Sequence, residues 1–304
     1  MQQPGHLALT LGLALAILVG CSGGGGAPTN PDGDGVPEHI GPDTTVVYAV
    51  HDGQALPADI YYPRGNPAHG MVLFFHSGGW IGNNRLTTGP YARLLRDSGF
   101  VFVSIDYRLI DNNPDFPGGT FPANFQDCRS ALKWCQDHAL DFQVPPNHVA
   151  VMGTSAGSHL AALVATAPPD PRWDDDPTHA PKAAAAVCLF GTYDFRPPFE
   201  GYDVTHTVDR MIGTPANEAA ASPANWIDPT DPPICIMHGL QDENPITPPI
   251  QAQSFFDKLQ AAGVPSELHW INHAGHGFAD MGAPSDPNAV ERGNIILAFL
   301  HKFI

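Results

Sequence analysis

The chain has 304 residues, which is long enough for one large α/β domain or two small ones. Its 14 basic and 31 acidic side chains give a net charge of −17, and no run of five basic residues occurs. This balance argues against a nucleic-acid partner, because binding a phosphate backbone requires clustered Lys and Arg. The acidity favours solubility instead.

Residues 1–20 have the pattern of a secretory signal peptide. Leu7–Gly20 is almost wholly apolar, yet it is shorter than the roughly 20 residues that a membrane-spanning helix needs. The segment ends in Leu18-Val19-Gly20-Cys21, which resembles the bacterial lipobox, where the cysteine is lipidated and the signal is cleaved before it. We therefore expect export to the bacterial cell envelope, with a membrane anchor only through lipid on Cys21. An ordinary cleaved signal with an incidental cysteine is the alternative.

Residues 21–43 are rich in Gly, Pro and Asp, which predicts a flexible tether before a folded domain over residues 44–304. An antiparallel strand pair, Thr45–Val50 and Ala58–Tyr62, opens this domain. Short apolar strands, buried on both faces, then alternate with helix-length segments. This alternation predicts an α/β fold with a mostly parallel, doubly wound sheet. The predicted strands are Met71–Phe75, Phe100–Ile105, Val149–Met152, Ala184–Phe190, Ile234–Met237 and Ser266–Ile271.

Two helices and one irregular insert complete the pattern. Apolar residues recur at helical spacing over Phe125–Cys135 and again over Val290–Phe303. Residues 192–233 depart from the alternation, because they are rich in Pro, Ala and aromatic residues with only a weak helix over Val208–Ile212. We expect this insert to cover the functional edge of the sheet as a small cap.

The four cysteines after Cys21 are expected to be free. Cys128 and Cys135 lie about 10 Å apart along one predicted helix, beyond the roughly 7 Å Cα separation that a disulfide allows. Cys188 and Cys235 lie in predicted buried strands, where free thiols are preferred to a bridge between neighbouring strands. No spacing suggests a zinc site.

The segment Gly153-Thr154-Ser155-Ala156-Gly157 fits the motif G-x-S-x-G between a strand and a helix, which is typical of a nucleophile elbow. Glycines suit the tight turn, because a larger side chain would crowd the backbone. The motif alone arises by chance in roughly one such chain in ten. A serine hydroxyl also needs a base, and the base needs an orienting acid, so the motif requires partners elsewhere.

In this architecture the acid and then the histidine follow the serine along the chain. Asp242 follows a predicted strand at its carboxyl end, where such sheets place catalysis, and it is preferred to Glu243 and Asp194. His276 lies between two glycines after the next predicted strand. It is the preferred base, and His273 is the alternative.

The transition state of acyl transfer also needs N–H donors for the developing oxyanion. His76-Ser77-Gly78-Gly79-Trp80 follows the strand that begins at Met71, which is the position of an oxyanion loop. The amides of Gly78 and Gly79, with that of Ala156 after the serine, are the predicted donors.

Together these motifs resemble the α/β-hydrolase carboxylesterases. The resemblance covers about residues 45–304 and is closest to the group named for bifunctional feruloyl and acetylxylan esterases, near the hormone-sensitive-lipase-like esterases. The motifs that carry it are HSGGW at 76–80, DYRL at 106–109, GTSAG at 153–157, HGLQD at 238–242 and GHGF at 275–278.

The resemblance implies Ser155 as nucleophile, Asp242 as acid and His276 as base, with the oxyanion at Gly78, Gly79 and Ala156. Ser77 replaces the first glycine of the family's usual HGGG. Asp106 and Arg108 match a family motif that we interpret as structural.

The function that the resemblance implies is hydrolysis of small-molecule or saccharide esters through an acyl-enzyme, without a cofactor. A serine peptidase similar to prolyl oligopeptidases and a non-catalytic binding protein on this fold are the alternatives. The small insert predicts a preference for short acyl groups. Its aromatic residues are expected either to wall the acyl site or to pack in the core; they are Phe195, Phe199, Tyr202 and Trp226.

Overall fold

The structure, a computed structural model, describes residues 41–64, 68–110, 114–196, 207–281 and 287–304. The predicted signal peptide, Cys21 and nearly all of the predicted tether lie outside these residues. No helix in the described ranges is long and apolar enough to cross a membrane.

Within the described residues the strands form one eight-stranded sheet in the order β1-β2-β4-β3-β5-β6-β7-β8. β1 and β2 pair antiparallel, β2 is antiparallel to β4, and every other pair is parallel. The prediction of a mostly parallel sheet opened by an antiparallel pair is confirmed. The strands are β1 Thr44–His51, β2 Gln54–Tyr61, β3 Met71–Phe75, β4 Val101–Ile105, β5 Val149–Thr154, β6 Ala186–Leu189, β7 Ile234–Gly239 and β8 Ser266–Ile271.

β2 begins at Gln54, four residues earlier than the predicted Ala58. The reason is a two-residue turn, Asp52-Gly53, in which both residues have positive φ (52° and 77°). Such a turn matches the twist of the flanking strands, and Asp-Gly is a typical sequence for it. The hairpin therefore extends through Gln54–Pro57, which the predicted strand did not include.

Helices cover both faces of the sheet. α2, α3 and α6 pack into one core cluster, and α1 and α7 pack into a second cluster on the opposite face. Burial on both faces explains why β3 to β7 are mostly apolar. The helices are α1 Tyr91–Asp97, α2 Ala123–His138, α3 Ala156–Thr166, α4 Thr207–Ile212, α5 Glu218–Ala221, α6 Pro249–Ala262 and α7 Pro287–Phe303.

The four described cysteines are buried and free, as expected. Of the aromatic residues in the insert, Phe199 and Tyr202 lie outside the described residues. Phe195 is buried against the rings of Trp80 and His159.

Trp226 does not wall the predicted site. Its ring packs on Trp173, and it lies beside Val164 and Thr166 at the carboxyl end of α3. Because Ser155 precedes the other end of this helix, about 15 Å away, Trp226 belongs to the core packing.

The DYRL segment after β4 is held by buried charges. Asp106 accepts hydrogen bonds from the backbone N and the Nη1 of Arg85, both at 2.6 Å. Arg108 is almost fully buried and donates from Nη2 to Asp127 at 2.8 Å. Removing one partner of such a buried pair typically costs about 3–5 kcal/mol. These contacts support the structural interpretation of Asp106 and Arg108.

Candidate active site

The turn between β5 and α3 places Ser155 at the amino end of the helix. Ser155 has φ 51° and ψ −116°, a conformation that L-residues rarely adopt, and its amide donates to Leu189 O at 2.9 Å. A Cβ atom at Gly153 would lie 2.0 Å from Gly157 O, and one at Gly157 would lie 2.0 Å from Phe75 O. Both glycines of the motif are therefore required by close backbone contacts.

The structure brings the three predicted triad residues together. His276 Nε2 lies 3.0 Å from Ser155 Oγ, and His276 Nδ1 lies 2.9 Å from Asp242 Oδ2. Ser155 and His276 are partly exposed, whereas Asp242 is buried. A substrate can therefore reach the hydroxyl and the imidazole, while the carboxylate is shielded from water.

Asp242 is held as a carboxylate by its hydrogen bonds. Burial alone would raise its pKa, but hydrogen bonds from His238 and His276 outweigh burial and lower the pKa well below its usual value. Asn244 N donates to Oδ1 at 3.0 Å, and Thr247 Oγ1 donates to Oδ2 at 3.1 Å. The carboxylate therefore stays negative at neutral pH, which suits it to stabilise a protonated His276.

Two residues of this site were not identified from the sequence. His238, on β7, is fully buried, and its Nε2 lies 2.9 Å from Thr247 O. A carbonyl oxygen can only accept a hydrogen bond, so Nε2 carries the hydrogen. The same nitrogen lies 3.2 Å from Asp242 Oδ2. Thr247 Oγ1 also lies 3.0 Å from His276 Nδ1. The segment HGLQD contains His238, but nothing in its sequence indicates that His238 contacts Asp242.

The alternative acids and the alternative base lie apart from these contacts. Glu243 and His273 are exposed. Asp194 is ion-paired with Arg196 at 3.0 Å and with Lys258 at 2.8 Å, so its charge is already compensated.

The loop after β3 lies against the serine turn. The carbonyl oxygens of Phe75 and His76 would lie 2.0 and 2.6 Å from a Cβ atom at Gly157. Gly78 and Gly79 have φ 124° and 61°. A Cβ atom at Gly78 would meet Gly82 O at 2.2 Å, so only glycine fits there.

In the part of the chain that the structure describes, no group accepts a hydrogen bond from the amides of Gly78, Gly79 or Ala156. All three predicted donors are therefore available to an oxyanion.

A second unanticipated contact involves Phe190, which follows β6. Its ring lies edge-on to His276 with 5.3 Å between centroids, and edge-on to Phe278 at 4.8 Å. Phe190 has φ 42° and donates its amide to Met237 O at 2.8 Å. This aromatic contact restricts the position of the imidazole.

The sheet order, the two-sided helix packing and the Ser–His–Asp geometry define an α/β-hydrolase fold, and solved structures agree. The apo form of Thermogutta terrifontis esterase 2 aligns with a TM-score of 0.74 and 27% identity, over 88% of this chain and 96% of that one. Structures of the same esterase with propionate bound and phosphonylated by sarin align with TM-scores of 0.74 and 0.76.

The family model described as BD-FAE matches residues 58–259, and the chain belongs to this family. Among curated proteins of Mycobacterium tuberculosis, the probable carboxylic ester hydrolase LipM is 32% identical over 67% of this chain and 49% of its own length. Esterase LipC is 31% identical over 72% of this chain and 56% of its own length. The chain thus spans about half the length of these relatives.

The contact between Gly157 and Phe75 O predicts a large effect of a single methyl group. Gly157→Ala is expected to lower the free energy of unfolding by at least about 3 kcal/mol, because backbone on both sides resists the shift. Gly82→Ala is the control, since nothing lies within 4 Å of a Cβ atom there. Gly82→Ala should change the free energy of unfolding by less than about 0.5 kcal/mol. Urea titration of both variants and the wild type measures the two effects. Equal effects of the two changes would refute the contact.

Two buried histidines predict acid sensitivity. Burial lowers the pKa of His76 and of His159 to about 4 although each hydrogen-bonds a backbone carbonyl, whereas an unfolded histidine titrates near 6.5. The unfolded chain therefore binds more protons below pH 6.5, and stability present above that pH is lost as the pH falls towards 4. Between pH 7 and pH 5 each of the two histidines should lower the free energy of unfolding by about 2 kcal/mol.

Urea unfolding of the wild type and of His159→Phe at both pH values checks this expectation. In His159→Phe the loss of unfolding free energy that the two histidines cause between pH 7 and pH 5 should be about half as large. If the pH dependence is unchanged, His159 titrates normally in the folded protein and the expectation is wrong.

Proposed function

We propose that this protein is a serine ester hydrolase that acts through an acyl-enzyme. The observation that carries the proposal is the continuous set of contacts from Ser155 Oγ through the His276 ring to Asp242, at 3.0 and 2.9 Å. The descriptions of LipM and LipC as ester hydrolases support the same chemistry. So does the sarin-phosphonylated structure of the Thermogutta esterase.

In the first half of the proposed cycle, Ser155 Oγ attacks the ester carbonyl while His276 Nε2 accepts the hydroxyl proton. The Asp242 carboxylate stabilises the imidazolium that results. The carbonyl oxygen becomes an oxyanion and accepts hydrogen bonds from the amides of Gly78, Gly79 and Ala156. The C–O bond then breaks, and the imidazolium gives its proton to the departing alcohol.

In the second half, a water molecule attacks the acyl carbon of the ester on Ser155. His276 takes a proton from the water, and the oxyanion forms again at the same amides. The bond to Ser155 Oγ breaks, the serine regains its proton from the imidazolium, and the carboxylic acid leaves. No step needs a metal or an organic cofactor.

Substitution of the three residues tests the assigned roles. Ser155→Ala and His276→Ala should lower kcat by a factor of about 10⁴–10⁶, and Asp242→Asn should leave a larger remnant because the acid only orients and stabilises. His273→Ala is the matched control and should keep nearly the full rate on p-nitrophenyl acetate. Full activity of His276→Ala together with loss in His273→Ala would overturn the base assignment.

We propose that the substrates are esters of short or compact acids, including acetylated or feruloylated saccharides. The described part of the insert contains only α4, α5 and short turns, so it offers no long groove. The Thermogutta esterase structures with bound propionate and butyrate support the same size class.

An aryl-ester series tests the acyl preference. The value of kcat/KM should reach its maximum between acetate and butyrate and fall towards palmitate, because methylenes beyond the pocket gain none of the roughly 0.8 kcal/mol that each buried one contributes. Acetylated and feruloylated saccharides belong in the same panel. A maximum at long chains, or activation at a lipid interface, would instead indicate a lipase.

We propose that the protein is exported to the cell envelope and anchored by lipid on Cys21. The support is the sequence alone, since Leu18-Val19-Gly20-Cys21 ends an apolar segment of signal-peptide length. Cys21→Ser should move the protein from the membrane fraction to the soluble fraction after expression in a bacterium. An unchanged distribution, or a mature amino terminus away from Cys21, would refute the anchor.

A further inference from the structure

Three potential metal ligands meet at the edge of the sheet formed by β7 and β8. Cys235 on β7 is the direct register partner of Glu267 on β8, and His269 lies two residues further along the same strand. Successive side chains of a strand alternate between its faces, so Glu267 and His269 share one face. One ligand atom from each of the three residues lies within 4.8 Å of the other two.

Two of the three side chains already face each other and are partly exposed to solvent. Glu267 Oε2 faces His269 Nε2 at 3.1 Å, while the other oxygen, Oε1, lies 3.7 Å from Lys302 Nζ on α7. Cys235 is buried, but the side chains of His269 and Glu267 are 31% and 38% exposed. An ion can therefore enter from solvent and meet the thiol at the inner end of the cluster.

A thiol, a carboxylate and an imidazole are the ligand types that Zn²⁺ takes in proteins. With bonds of about 2.0–2.3 Å, a tetrahedral Zn²⁺ holds its ligand atoms about 3.3–3.7 Å apart. The separation of 3.1 Å between Oε2 and Nε2 is close to this value, and no pair has to move by much more than about 1 Å.

We propose that Cys235, Glu267 and His269 bind a single Zn²⁺ ion, with water at the fourth position. When the Zn–S bond forms, the thiol proton leaves to solvent, so that Zn²⁺ and a neutral thiol give a zinc thiolate and one proton. The site differs from the expectation drawn from sequence spacing. Its ligands come from two strands, and only the strand register brings them together.

The position of this ion gives it a structural consequence. It would tie β7 to β8, and these strands lead into the loops that carry Asp242 and His276. The site does not touch either residue, so the proposed metal site does not rest on the proposed hydrolytic function. A stabilising bridge at this edge would hold the two loops in register.

Cobalt provides a direct probe, because Co²⁺ accepts the same ligands and a Co²⁺–thiolate bond gives a charge-transfer absorption that nitrogen and oxygen ligands do not. Titration of the reduced, metal-free full chain with Co²⁺ should produce this band with one equivalent. Cys235→Ala should abolish it. Cys188→Ala is the matched control, since Cys188 is another buried free cysteine in a neighbouring strand, and it should keep the band.

Zinc itself should raise the melting temperature of the wild type and of Cys188→Ala by about 5–10 °C at a concentration about 100 times Kd. His269→Gln, at a partly exposed position, should weaken zinc binding by at least about tenfold while the chain remains folded. Absence of the cobalt band in the wild type, its persistence in Cys235→Ala, or unchanged affinity in His269→Gln would each overturn the proposal.

Discussion

The close approach of two backbones beside Ser155 is the constraint on which the site depends. A Cβ atom at Gly157 would lie 2.0 Å from Phe75 O, so β3, β5 and α3 meet at van der Waals limits. The same contact places the chain that continues from Phe75 towards Gly78 and Gly79 beside the serine turn. One packing requirement thus positions both the proposed nucleophile and the amides proposed to bind the oxyanion.

Buried polar contacts hold this geometry from two sides. Tyr107 Oη donates to His76 O at 2.9 Å and its ring stacks on the His76 ring, which supports the oxyanion loop from behind. On the other side, Asp242 receives hydrogen bonds from His238, His276 and a threonine, and these more than offset the cost of burying its charge. These contacts hold the site in one geometry with Asp242 ionised, which suits the preorganised role proposed for it.

Much of this arrangement could be predicted from the sequence because its signals are local. The glycines around Ser155, and the strand ends before Asp242 and His276, are visible in short stretches of sequence. Contacts between side chains distant in sequence leave no such pattern. The sequence therefore does not predict the hydrogen bond from Thr247 to Asp242 or the edge-on contact of Phe190 with His276. The pattern also left the place of Trp226 open, since an aromatic residue in an irregular insert serves a pocket or a core equally well.

Ser155 is the proposed nucleophile on which the whole assignment depends. Its most direct test is reaction of the full chain with a fluorophosphonate, followed by intact-mass and peptide analysis. One adduct on Ser155 is predicted, with labelling slowed strongly in His276→Ala and unchanged in His273→Ala. An adduct on another serine, or none on a protein that still hydrolyses esters, would contradict the assignment.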